Sequence, residues 1–66
     1  MTLVQVVELV GSSSEGWEKA VEEALKKASE KFPNIRGIDV LGFKAVVRDN
    51  KIVEYRANVK IAYVME

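Results

Sequence analysis

The chain has neither cysteine nor histidine in its 66 residues. Without cysteine there is no disulfide staple and no thiolate nucleophile, and without histidine there is no imidazole base and no ordinary zinc site. Proline occurs once, as Pro33, and tryptophan once, as Trp17. Net charge is also missing: ten basic residues cancel ten acidic ones. That removes the global positive field on which non-specific nucleic-acid affinity depends, so no nucleic-acid partner is expected. No run of residues approaches the ~20 apolar positions of a membrane span, and Met1-Thr2-Leu3-Val4-Gln5 carries no basic segment leading into a long apolar one. These features lead to the expectation of a cytoplasmic protein without a membrane partner.

What is present is a large apolar fraction, 48% of the chain. Residues 1–66 read as one domain, and a core of this size supplies only about 3–5 kcal/mol beyond the ordering entropy. With disulfide and metal staples removed, oligomerisation is the remaining device, and it would use the surplus apolar surface.

Residues 3–10 are β-branched and aliphatic with Gln5 and Glu8 interspersed, which reads as a strand ended by Gly11. Both faces of it are apolar, Val7 and Leu9 on one side and Val4, Val6 and Val10 on the other. A strand covered on one side only would leave the second set in water, which predicts a subunit contact. Ser12 followed three residues later by Glu15 has the spacing of a capping box, so a helix is expected to follow at once. Trp17, Ala20, Val21, Ala24, Leu25, Ala28 and Phe32 recur at helical spacing as one apolar stripe. Trp17 on that stripe is expected to be packed, in the core or between subunits. Glu22 and Glu23 precede Lys26 and Lys27 by four residues, a favourable pairing distance. Pro33-Asn34 stops the helix.

From Ile38 to Val47 and from Ile52 to Met65 the apolar period becomes two. Asp49-Asn50 between them tolerate positive φ, as a two-residue hairpin turn requires, so these strands are antiparallel neighbours. In the last one Val53, Tyr55, Ala57, Val59, Ile61, Tyr63 and Met65 share a face towards the helix, and Glu54, Arg56, Asn58 and Lys60 share the other. The fold class is therefore α+β, with β-α-β-β order and a three-stranded antiparallel sheet wrapped around one amphipathic helix. A final strand of about 14 residues is far longer than the usual 5–6, a second reason to expect a closed oligomer.

The sequence holds no enzyme constellation. Ser12, Ser13 and Ser14 read as helix-entry residues, and the Gly11 to Gly16 stretch lacks the Gly-Lys-Ser/Thr ending of a phosphate loop. Arg56 with Lys44 and Arg48 could form an anion-binding group or take part in surface ion pairs. Asp39, Asp49, Glu54 and Glu66 could offer oxygen ligands to calcium or magnesium where symmetry brings copies together.

The opening Val7-Glu8-Leu9-Val10-Gly11-Ser12-Ser13, the helix carrying Trp17 in its first turns, and the ending Val59-Lys60-Ile61-Ala62-Tyr63-Val64 resemble the dodecins. The resemblance covers roughly residues 4 to 65. It implies a hollow homododecamer that binds and stores flavin (riboflavin, FMN or FAD) by burial and quenching, without turnover. In that family a tryptophan near the start of the second strand stacks on the isoalloxazine ring and a glutamine in the third strand bonds its polar edge. Counted without gaps, those positions fall on Gly37 and Arg56. Glycine offers no ring, and losing a stacked aromatic forfeits on the order of 1–3 kcal/mol per face, by analogy with bases stacked on aromatic side chains. Arginine replaces an amide donor-acceptor with a donor-only cation. The expectation is a dodecin-like small-molecule store with an altered flavin site; the alternative is a structural or ion-binding cage, for calcium or an anion.

Overall fold

In a computed structural model describing residues 3–65, four elements follow one another: β1 (Val4–Ser13), α1 (Trp17–Ser29), β2 (Ile35–Arg48) and β3 (Lys51–Val64). They form an antiparallel sheet in the order β1-β3-β2, with the helix on one face. The α+β, β-α-β-β expectation is met. The hairpin turn also takes the expected form, since Asp49 and Asn50 adopt φ of 51° and 62°, the signs of a type I′ turn that matches the twist of the flanking strands.

The core is built from small helix residues against alternate β3 residues. Ala20, Ala24 and Ala28 are buried on α1, and Ala57, Val59, Ile61 and Tyr63 on β3. Val7 and Leu9, paired with Ile61 and Val59, pack against this cluster, as do Val21, Phe32, Ile35 and Ile38. Phe32 stacks on Tyr63 with ring centroids 4.6 Å apart. The face assigned to β3 from its period is the buried one over residues 57–63. Val53 and Met65, which share its parity, stay exposed. A 13-residue helix is about 20 Å long and a 14-residue strand about 45 Å, so α1 cannot cover the whole hairpin. The chain accordingly measures 52 × 19 × 13 Å.

Two expectations about the β1–α1 junction are corrected. Gly11 does not end the strand, because β1 continues through it to Ser13, pairing Ser12 with Arg56 and Ser13 with Tyr55. The reason for glycine here is close approach. A Cβ on Gly11 would collide with the Ala20 carbonyl oxygen and lie 2.8 Å from the Ala24 Cβ. The Ser12–Glu15 capping box does not form either. Ser12 is held in the ladder, the Ser13 hydroxyl accepts the Glu15 amide at 3.0 Å, and α1 starts only after Gly16 with no side-chain cap. At the other end α1 closes at Ser29, with Lys31 and Phe32 amides both bonding the Ala28 carbonyl before Pro33. The ion pair present on the helix is Lys19–Glu22 at 3.6 Å, on an exposed surface where it contributes a few tenths of a kcal/mol at most.

Gly11→Ala should destabilise the protein by about 1–3 kcal/mol, since the added methyl meets backbone rather than a side chain that can swing away. Urea unfolding checks this; an unchanged midpoint would mean that α1 can lift from β1 without cost.

Candidate functional site

The sheet face turned away from α1 carries the residues proposed for binding. Cross-strand partners share a face, so the register gives its layout. Ser12, Arg56 and Lys44 form one row across β1, β3 and β2. Val10, Asn58 and Gly42 form the next, followed by Glu8, Lys60 and Asp39, and then by Val6, Ala62 and Gly37. Val4, Val6 and Val10 are 55%, 55% and 59% exposed, so the second apolar face of β1 is bare in the single chain.

Gly37 and Arg56 lie on this same face but not together. Gly37 is level with Ala62, six β3 residues from Arg56, a separation of about 20 Å. A flavin touching both positions would have to draw them from different copies. A Cβ on Gly37 would meet nothing within 4 Å, so this position is open in the single chain. Arg56 is committed elsewhere: its Nε donates to the Glu54 carboxylate at 2.8 Å. That bond holds the Glu54 carboxyl below its ordinary value of 4.5; partial burial opposes the shift, and the charges of Arg56 and Arg48 and the Ser12 hydroxyl assist it. Lys44 stands directly opposite Arg56, a like-charge pair across strands that the neighbouring carboxylate offsets.

The carboxylates considered as calcium ligands are spread out. Asp39 is level with Lys60, Asp49 sits in the hairpin turn, Glu54 is held by Arg56, and Glu66 lies outside the described residues. Among the described residues no three acidic groups gather into a ligand set. A calcium site of this kind would need carboxylates from more than one subunit.

Trp17 is not in the core of the single chain, which leaves a contact between subunits as the packed position its spacing allows. It is 40% exposed, at the edge of the covered surface. Its ring meets Tyr55 edge-on at 4.9 Å and Phe43 at 6.0 Å, and its Nε1 donates to the Lys44 carbonyl at 2.9 Å. It thus ties the helix start to β2, an edge strand of the sheet, capping a carbonyl that would otherwise be open to another chain. The strand parity of Tyr55 pointed to this face; the Lys44 contact had no sequence signal, because it joins residues 27 apart.

The model of the dodecin family matches residues 3–66. The chain belongs to the dodecin family. It is similar to the dodecin of Streptomyces davaonensis, whose structure superposes with a TM-score of 0.95 at 22% identity, covering 98% of this chain and 96% of that one. A mutant of the Thermus thermophilus dodecin matches at TM-score 0.94 and 26% identity, over 100% of this chain and 98% of that one. The Mycobacterium tuberculosis protein named calcium dodecin is 26% identical over 65 residues, 98% of this chain and 92% of its own. Its crystal structure, described as having a novel calcium-binding site, superposes at TM-score 0.86 with 25% identity, over 97% of this chain and 91% of that one. Identities in the twenties over more than nine-tenths of each chain mark a divergent dodecin. No helix among the described residues is long and apolar enough to cross a membrane.

Two outcomes follow. Trp17→Ala should cost about 1–3 kcal/mol in the isolated fold, less than the 3–5 typical of truncating a buried tryptophan, because much of the ring is already in water. Thermal melting would show it, and a loss at the upper figure would mean that the ring is covered in the native protein. Because the Glu54 carboxyl is depressed when folded, the unfolded chain binds the proton more readily; its contribution is complete above about 4.5 and fades as pH falls through the lower folded value. Glu54→Gln should therefore flatten the stability–pH slope below about 4.5, and less so in high salt. An identical acid limb in the variant would refute the Glu54–Arg56 linkage.

Proposed function

We propose that this dodecin assembles into a hollow homododecamer that binds and stores a small molecule without turning it over, and that flavin is held only weakly. The observation that carries the assembly is the bare apolar face of β1, with Val4, Val6 and Val10 exposed opposite the helix. Burying the half of each side chain still exposed contributes about 1 kcal/mol apiece, which a chain with no cysteine and a small core needs. Weak flavin binding is supported by Gly37, which has no ring, and by Arg56, whose guanidinium is engaged by Glu54. Cofactor storage implies a cytoplasmic setting and no catalytic residues.

A structural or ion-binding cage is the second reading. It is favoured by the calcium named for the M. tuberculosis relative, together with the altered positions Gly37 and Arg56. In that case the ligands would be oxygen atoms collected across subunit boundaries.

Light scattering should give a mass near twelve copies of the 7.4 kDa chain; a folded monomer or dimer at micromolar concentration would refute the assembly. Riboflavin titration, followed by fluorescence quenching, separates the ligand readings. Weak quenching by the native chain, rising roughly five- to a hundredfold in affinity in a Gly37→Trp, Arg56→Gln double variant, is the expected pattern, since a stacked ring alone is worth about 1–3 kcal/mol. Tight binding by the native chain, or no gain in an assembled double variant, would show that flavin does not use these positions. Calcium-dependent stabilisation at low millimolar calcium without any flavin response would favour the second reading.

A further inference from the structure

A cleft of about 600 Å³ lies on the helix side of the sheet, away from the face just described. It exists because α1 sits over β1 and β3 and barely reaches β2. Leu25 on the helix and Ile35 and Ile38 at the start of β2 are left facing a gap, and Leu25 remains 40% exposed although it belongs to the apolar stripe.

Two cations stand at its border, Lys26 from α1 and Arg36 from β2. Neither has a carboxylate partner among the described residues, where the ion pairs are Lys19–Glu22 and Arg56–Glu54. The carboxylate lining the cleft, Glu22, is drawn towards Lys19 at 3.6 Å, and the Ser29 hydroxyl is spent on the Lys26 carbonyl at 2.7 Å. The border is therefore positive and has free donors, while the floor is aliphatic. The volume falls within the range of small-molecule pockets, about 300–1,000 Å³, and an apolar lining with a few convergent polar groups is their usual make-up.

We infer that this α1–β2 cleft binds a small amphipathic organic anion, its apolar body on Leu25, Ile35 and Ile38 and its acidic head between Lys26 and Arg36. Bare phosphate would gain nothing from the aliphatic floor. A neutral apolar molecule would leave both cations without a counter-charge, and a cation would meet their repulsion. Charge-assisted bonds to such a head are about twice as strong as neutral ones, so the head supplies selectivity and the floor supplies area. The site shares no side chain with Arg56 and does not rest on the flavin reading.

The test uses anilinonaphthalene sulfonate as the anionic probe and N-phenylnaphthylamine as its neutral counterpart, on the native protein at physiological salt. The native chain should bind the sulfonate saturably and more tightly than the neutral probe. A Lys26→Gln, Arg36→Gln double variant should bind the sulfonate about tenfold more weakly with the neutral probe unchanged, and Lys60→Gln on the opposite face should change neither. Circular dichroism and light scattering confirm that each variant is folded and assembled. Equal sulfonate affinity in the double variant, or an equal loss with Lys60→Gln, overturns the inference. So does the absence of saturable binding to the native chain; if Leu25→Gln then alters the assembly mass, a second copy fills the cleft instead.

Discussion

Everything in this fold depends on how closely one helix can sit on a three-stranded sheet. Gly11 removes the side chain where α1 crosses β1, and Ala20, Ala24 and Ala28 keep the facing helix surface low. Dispersion forces fall steeply with separation, so this close seating is what makes a core of alanines against Val59 and Ile61 dense enough to hold. The same geometry sets its limit. A helix seated on β1 and β3 cannot also cover β2 or the far half of the hairpin, and it leaves the opposite sheet face untouched.

The functional surfaces are what that limit leaves over. On the far face, rows of valine and small residues alternate with charged rows, and Gly37 and Arg56 lie about 20 Å apart along β3. A single small ligand on one chain could not touch both. The proposed weak hold on flavin rests on their chemistry: Gly37 offers no ring, and the Arg56 guanidinium binds its own neighbour, Glu54. On the near face the uncovered start of β2 leaves a cleft of different character, aliphatic below and cationic at its border.

Much of this was legible in the sequence, where physical periodicity decides the outcome. The two-residue period of β3 identified its buried face, and the three-and-four spacing identified Ala20, Ala24 and Ala28. Asp49-Asn50 announced the turn because few other residues accept positive φ at two successive positions. The reading failed where one residue type serves two purposes. Glycine at position 11 signals a strand end as readily as a close approach, and only the position of Ala20 distinguishes them. Ser12 has capping chemistry, but the ladder with Arg56 had a prior claim on its backbone. Trp17 follows the stripe in spacing yet lies where the helix leaves the core, a consequence of docking angle that no local pattern encodes. For the candidate site, parity placed Lys44 and Arg56 on one face, whereas the separation of Gly37 from Arg56 emerged only from the register.

In the proposed assembly, copies of this chain complete a core that one copy cannot. Its most direct measurement is the melting temperature as a function of protein concentration. If folding and association are linked, mass action raises Tm steadily as the concentration increases, and diluted protein loses helix and assembly in one transition. A Tm that is independent of concentration over several decades, with the chain monomeric throughout, would show that one copy folds without partners.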